Sequence, residues 1–211
     1  MSKLLLLIKK DIKLTAQSGS GTFILCGLFL LISILSIAYG QHGMYIYVAA
    51  ITVVTSLAMP QILNRDFLDG SITQILLSGV KPEAIIYGKL ISNFTIVLGA
   101  LYIVLGLDYL ILKPSISMIE ILLLAPITFT VCAVTIFGSL LIISSSSSNL
   151  LNLLVTTPLL TTFLVYSANL DVYDNSSALV KDITSLLCIS FITCVIVVYT
   201  CRHLLLNIQS N

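Results

Sequence analysis

The sequence predicts an all-α membrane protein with six transmembrane helices, and three observations carry that expectation. Hydrophobic residues make up 58% of the 211 positions and charged residues only 9%. With a mean hydropathy of +1.11, this balance could not cover the whole surface of a water-soluble domain. Six apolar runs each approach the roughly 20 residues that a helix needs to cross a hydrocarbon core of about 30 Å. Finally, the runs are apolar on every side rather than in alternation. They lack the two-residue repeat of a membrane β-barrel, so helices must satisfy the backbone groups in lipid.

The runs are Thr22–Tyr39, Met44–Leu63, Ile85–Leu112, Ile119–Ile143, Leu150–Ala168 and Ser185–Leu206, within a single transmembrane domain of residues 1–211. Ahead of them lies a basic segment. Drawn as a helix, it sets Lys3, Lys10 and Gln17 on one stripe with Lys9 and Lys13 beside it, while Leu4, Leu5, Ile8 and Ile12 face the other way. Such a helix is expected to lie along the interface, lysines toward anionic headgroups, until Gly19-Ser20-Gly21 breaks it. Its apolar stretch, Leu4 to Ile8, is too short for a cleavable signal, and a transit peptide is not expected either.

Positive charge sets the orientation. With both termini cytoplasmic, that side receives Lys3, Lys9, Lys10, Lys13, Arg65, Lys81, Lys89 and Arg202, leaving Lys113 and Lys181 outside. The asymmetry fits an even number of spans. Because the basic residues flank the membrane segments and form no single patch, nucleic acid is not an expected partner.

The segment from Asn64 to Lys89 gathers Arg65, Asp66, Asp69, Lys81, Glu83 and Lys89 in an otherwise nearly uncharged chain. It has helical punctuation of its own. Asp69-Gly70-Ser71 makes a turn with an N-cap, Ile72, Ile75 and Leu76 form an i, i+3, i+4 stripe, and Ser78-Gly79 ends the helix. Pro82 and Glu83 suit the first turn of the following helix. Two readings are open from composition alone: a short helix that transmits force from a soluble partner, or one that lies on lipid.

Resemblance separates them. Arg65-Asp66-Phe67-Leu68-Asp69-Gly70-Ser71-Ile72-Thr73-Gln74-Ile75-Leu76, followed by Gly88-Lys89, resembles the membrane subunits of ABC transporters, and more narrowly the haem exporter protein B (CcmB) family of cytochrome c maturation. The likeness covers most of the chain, and its most specific part is Asp66 to Leu77. It implies an ABC-2-like permease that pairs as a homodimer and binds a separate ABC ATPase subunit (CcmA-like) through a coupling helix between spans two and three. Asp66, Asp69, Gly70, Ser71, Ile72, Ile75 and Leu76 are then the expected coupling residues. Further implied partners are a haem-handling membrane protein (CcmC-like) and a haem chaperone (CcmE-like), in a bacterial inner membrane or, alternatively, the inner membrane of mitochondria that encode the subunit themselves. Thr73 stands where the family often has glutamate, and a second proline common near Thr161 is missing.

The residues agree that ATP is hydrolysed elsewhere. Gly88-Lys89-Leu90 lacks the upstream glycine and the following Ser or Thr of a phosphate-binding loop, so the chain is expected to be non-catalytic, with ATP on a partner subunit. Haem is expected only as a handled or transported ligand. His42 reads as a solvated turn residue, and His203 sits at the cytoplasmic end of the sixth span. Cys26, Cys132, Cys188, Cys194 and Cys201 all fall in spans with no C-x-x-C spacing, which reads as small buried hydrophobes and no metal site.

Within the spans, Ser92, Gly99 and Gly106 recur every seven residues, a stripe for close helix packing inside one subunit or between two. Pro158, with Thr156, Thr157, Thr161 and Thr162 nearby to bond a freed carbonyl, is either a hinge or a tolerated kink. Asn169 to Asp182 is the largest expected outside loop and a candidate contact for an outside partner. Three other classes compete with the permease reading: a secondary carrier or channel, an intramembrane hydrolase, for which neither histidine lies mid-span and no H-E-x-x-H exists, and a non-transporting scaffold. A secondary carrier or channel would place ionisable residues at mid-membrane, whereas only Asp108 and Glu120 approach a span, near its outer end. A non-transporting scaffold would use the same coupling helix, and only substrate movement separates it from a permease.

Overall fold

The structure is a computed structural model that describes residues 6, 8–13, 26–34, 44–112, 118–145 and 176–210. It is all-helical over these residues apart from short turns. Five helices are delimited: α1 (Met44–Leu68), α2 (Ser71–Leu77), α3 (Pro82–Leu112), α4 (Met118–Ser145) and α5 (Ser176–Ser210). Segments 8–13 and 26–34 are helical as well.

Among the described residues, three helices are long and apolar enough to cross a membrane: Pro82–Leu110 in α3, Ile121–Leu141 in α4 and Thr184–Leu205 in α5. They correspond to the third, fourth and sixth expected spans. The second expected span lies in α1, whose qualifying apolar stretch, Ile46–Ser56, is shorter. The first is helical over 26–34, and the fifth, with Pro158, lies outside the described residues.

Two boundaries differ from those expected. Helix α1 continues through Asn64, Arg65 and Asp66 to Leu68, and α5 begins at Ser176 instead of Ser185. Lys181 and Asp182 are therefore helical, not part of a loop. Apolarity fades at the expected boundaries, but leaving lipid does not stop a backbone from making i to i−4 hydrogen bonds.

Helix α4 is the centre of the bundle, packing most extensively against α1 and α5. Its interior is close to continuous: Val131, Cys132, Ala133, Val134 and Ile136 are all buried. In lipid, helices associate mainly through such packing and polar contacts, since the tails are as apolar as the side chains. Phe129 meets Phe94 of α3 edge to face at 5.4 Å. Buried hydroxyls are satisfied within their own helices: Thr128 Oγ1 donates to Leu124 O at 2.6 Å, Thr135 to Val131 O at 2.9 Å and Ser139 to Thr135 O at 2.6 Å. This local bonding lets Thr and Ser sit in an apolar interior at little cost.

The outer faces of α3 and α5 are apolar and open. On α5, Phe191, Ile192, Val195, Ile196 and Tyr199 are exposed at i, i+1, i+4, i+5 and i+8, one continuous stripe. Such a surface fits a lipid-facing helix and would be a liability in water.

Polar contacts cluster at the two ends of the bundle. At one end, Lys89 pairs with Asp11 and Asp66, and Arg202 Nη1 lies 3.0 Å from Glu83 Oε1. At the other, the buried Asp108 accepts hydrogen bonds at Oδ2 from Ser33 Oγ, 2.7 Å, and Tyr47 OH, 3.0 Å. Equal intervals separate Tyr47 from Asp66 on α1 and Asp108 from Lys89 on α3, so α1 and α3 are antiparallel and tied at both ends. The interval corresponds to about 28 Å of helix, close to a hydrocarbon thickness.

Candidate functional site

The candidate site is built on the connection between α1 and α3. Helix α1 ends where Gly70 takes a left-handed conformation, φ 67°, and its N–H donates to Phe67 O at 3.0 Å. A residue with a side chain is strained there, which explains the glycine after Asp69. Gly70 O then accepts from Gln74 N at 3.0 Å, so this glycine is the N-cap of α2. Ser71 makes no cap bond; its Oγ donates to Asp66 O at 3.0 Å, across the turn. Gly79, φ 75°, ends the helix with its N–H on Leu76 O at 3.0 Å. The chain thus turns twice within a dozen residues, each time at a glycine.

Helix α2 has two distinct faces. Ile72 is 1% exposed and joins Ile85, Ile86, Ile136, Leu140 and Leu205 around a narrow crevice that also contacts Lys89. Ile75 and Leu76 are half-buried. Thr73, Gln74, Leu77 and Asp69 are exposed, Leu77 at 75%. Leu77 is thus an exposed apolar side chain beside the polar Thr73 and Gln74, on a helix anchored by the buried Ile72.

Lys89 ties together the segments around this helix. Its side chain is 8% exposed, and its ammonium pairs with Asp66 at the end of α1 and with Asp11, 2.9 Å away, in the helical segment 8–13. A buried ammonium is strongly disfavoured unless paired, and two carboxylates from separate segments meet that need. Across the same end, the Glu83–Arg202 pair holds the start of α3 to the end of α5.

The expected coupling residues therefore divide by location. Asp66 and Ser71 are engaged in the turn, Ile72 is in the core, Ile75 and Leu76 are half-buried, Gly70 shapes the backbone and Asp69 is exposed. Asp11 escaped the sequence reading, and the roles of Thr73, Gln74 and Leu77 as the outward face were not singled out. The available signal for Asp11 was a carboxylate interrupting the apolar side of the amino-terminal helix.

Elsewhere, Ser92 is buried, whereas Gly99 and Gly106 are exposed, with no described atom within 4 Å of an added Cβ. Of the two packing alternatives, these glycines do not serve packing inside the described part of the subunit. Cys132 and Cys201 are buried, Cys26 and Cys194 half-buried and Cys188 exposed, all as free thiols. His203 is exposed and stacks edge-on with Tyr199, ring centroids 5.0 Å apart. His42 and residues 169–175 lie outside the described residues. No group of three or more His, Cys, Asp or Glu side chains converges on a metal-sized site among the described residues. Comparison of the chain with protein-family models, curated proteins and solved structures yields no match.

Proposed function

We propose that this chain is the membrane subunit of an ABC transporter complex of the CcmB kind, non-catalytic itself and driven by a separate ATPase. The observation that carries the reading is α2: a short helix bounded by Gly70 and Gly79, anchored by Ile72 and presenting Asp69, Thr73, Gln74 and Leu77 outward between two apolar helices. A rigid, exposed helix at the end of a helical bundle is what a soluble motor needs in order to push on a membrane domain. Asp66–Lys89 pairing supports this reading, because it ties the two helices that flank α2 to each other, so that a load on the connection reaches both.

In this account the ATPase binds ATP and the chain transmits its movement, serving haem export or release of a haem-loaded chaperone during cytochrome c biogenesis. A haem-handling membrane protein and a haem chaperone are the further partners. The exposed face of Gly99 and Gly106 is available to a second copy in a homodimer. The proposed location is a bacterial inner membrane, with both termini and α2 on the cytoplasmic side.

Purifying the tagged chain in mild detergent tests the reading. An ATP-hydrolysing polypeptide recovered with haem-handling proteins is the expected result. Recovery of the chain alone, under conditions that preserve such assemblies, would turn the assignment toward a stand-alone carrier.

A further inference from the structure

We propose that residues 6 and 8–13 form a binding surface for anionic phospholipid headgroups, set in orientation by the Asp11–Lys89 ion pair. Only the membrane setting of the bundle is required; no ATPase enters.

The exposures separate two faces at helical spacing. Leu6, Lys9, Lys10 and Lys13 are exposed, at i, i+3, i+4 and i+7, while Ile8, Asp11 and Ile12 are half-buried, at i, i+3 and i+4. The inward face is therefore not simply apolar. It carries a carboxylate whose Oδ2 lies 2.9 Å from Lys89 Nζ. Left in the open, Asp11 would sit among the three lysines and offset their charge. Its pairing with the buried ammonium holds it on the inward face and leaves Lys9, Lys10 and Lys13 together on the outer one; with Lys89 shared between Asp11 and Asp66, these four cations and two carboxylates leave a net charge of +2.

Depth and chemistry favour lipid over an acidic protein. From Pro82, the first residue of the candidate span in α3, to Lys89 is about 10 Å along the helix, so a segment joined to Lys89 lies beside the first turns of that span. Headgroups occupy this level, and amphipathic segments at the interface sit 5–10 Å into the boundary, as a rough guide. Leu6, 66% exposed on the lysine face, supplies an apolar group that can enter the acyl boundary while the lysines reach headgroup phosphates.

The test uses the full chain in nanodiscs of phosphatidylcholine with a minority of phosphatidylglycerol, reading lipid retained after release by native mass spectrometry. Each lysine near an anionic surface is worth on the order of fivefold in binding, so Lys9→Gln/Lys10→Gln/Lys13→Gln is expected to lower phosphatidylglycerol retention at least about tenfold. This variant alters only exposed side chains and leaves the buried charges in place.

Asp11→Asn gives the sharper arm because the two accounts differ in sign. Simple charge counting predicts tighter binding when a negative charge is removed, whereas loss of orientation predicts severalfold weaker binding, restored by Asp11→Glu. Retention unchanged in the triple variant would overturn the proposal, as would an increase for Asp11→Asn. So would a triple variant that loses a soluble acidic protein while keeping its lipid.

Discussion

Lys89 and Asp66 form an ion pair that closes the segment carrying α2, joining the end of α1 to the second turn of α3 around the two glycine turns. Asp11 completes the arrangement from a third segment. One ammonium thus fixes three parts of the chain at the end of the bundle that carries α2.

Removing that ammonium is expected to be the most damaging single change at this end. Lys89→Met leaves two mostly buried carboxylates facing each other, and loss of one partner of a buried pair costs about 3–5 kcal/mol. The lower end of this range applies because the Asp66 side chain keeps 25% exposure. Combining Lys89→Met with Asp11→Asn and Asp66→Asn should recover most of the loss. Reversible unfolding in detergent micelles checks both; a single variant as stable as the wild type would show that the pairs contribute nothing.

At the opposite end, Asp108→Ala removes the carboxylate that accepts from Ser33 and Tyr47, and Tyr47→Phe removes one bond while keeping the ring. Hydrogen bonds to a charged group are worth roughly 1.5–3 kcal/mol. Asp108→Ala should therefore destabilise by about 3 kcal/mol or more and Tyr47→Phe by about 1.5 kcal/mol, compared in the same unfolding assay.

Gly70 separates conformation from space. Nothing among the described atoms lies within 4 Å of a Cβ added there, yet φ is +67°. Gly70→Leu should cost about 1–2 kcal/mol through backbone strain alone, and Gly70→Asn distinctly less, since Asn enters the left-handed region more readily. Equal losses for both would point to a steric clash instead.

The two faces of α2 should give opposite results. Ile72→Ala empties a core position, at a cost of about 2–4 kcal/mol, whereas Leu77→Ala, at a side chain already 75% exposed, should leave stability within about 0.5 kcal/mol. Partner recruitment should respond the other way: Leu77→Ala weakens it in a fully folded protein. Paired unfolding and co-purification measurements would reveal the split, and a Leu77→Ala variant with wild-type recruitment would remove Leu77 from the contact surface.

Helix positions were largely legible in the sequence because continuous apolarity and glycine punctuation are local signals. Helix α2 follows from Asp69-Gly70-Ser71, the Ile72–Ile75–Leu76 spacing and Ser78-Gly79, and it is present over Ser71–Leu77. What local signals cannot carry is a partner distant in the chain. Lys89 read as one more cytoplasmic charge until Asp11 and Asp66 were brought to it, and Asp108 read as a span-end carboxylate until Ser33 and Tyr47 met it. The seven-residue spacing of Ser92, Gly99 and Gly106 defines a stripe, but its direction depends on which helices lie alongside. Ser92 turns inward while both glycines remain exposed.

The most direct test of the central claim is site-specific photocrosslinking from position 77, on the exposed face of α2, with position 191 on the exposed apolar stripe of α5 as the reference. The account predicts that a crosslinker at Leu77 captures an ATP-hydrolysing polypeptide in native membranes and that one at Phe191 captures lipid or a membrane protein. Adducts with lipid alone at both positions would contradict it, making α2 an interfacial helix with no soluble motor behind it.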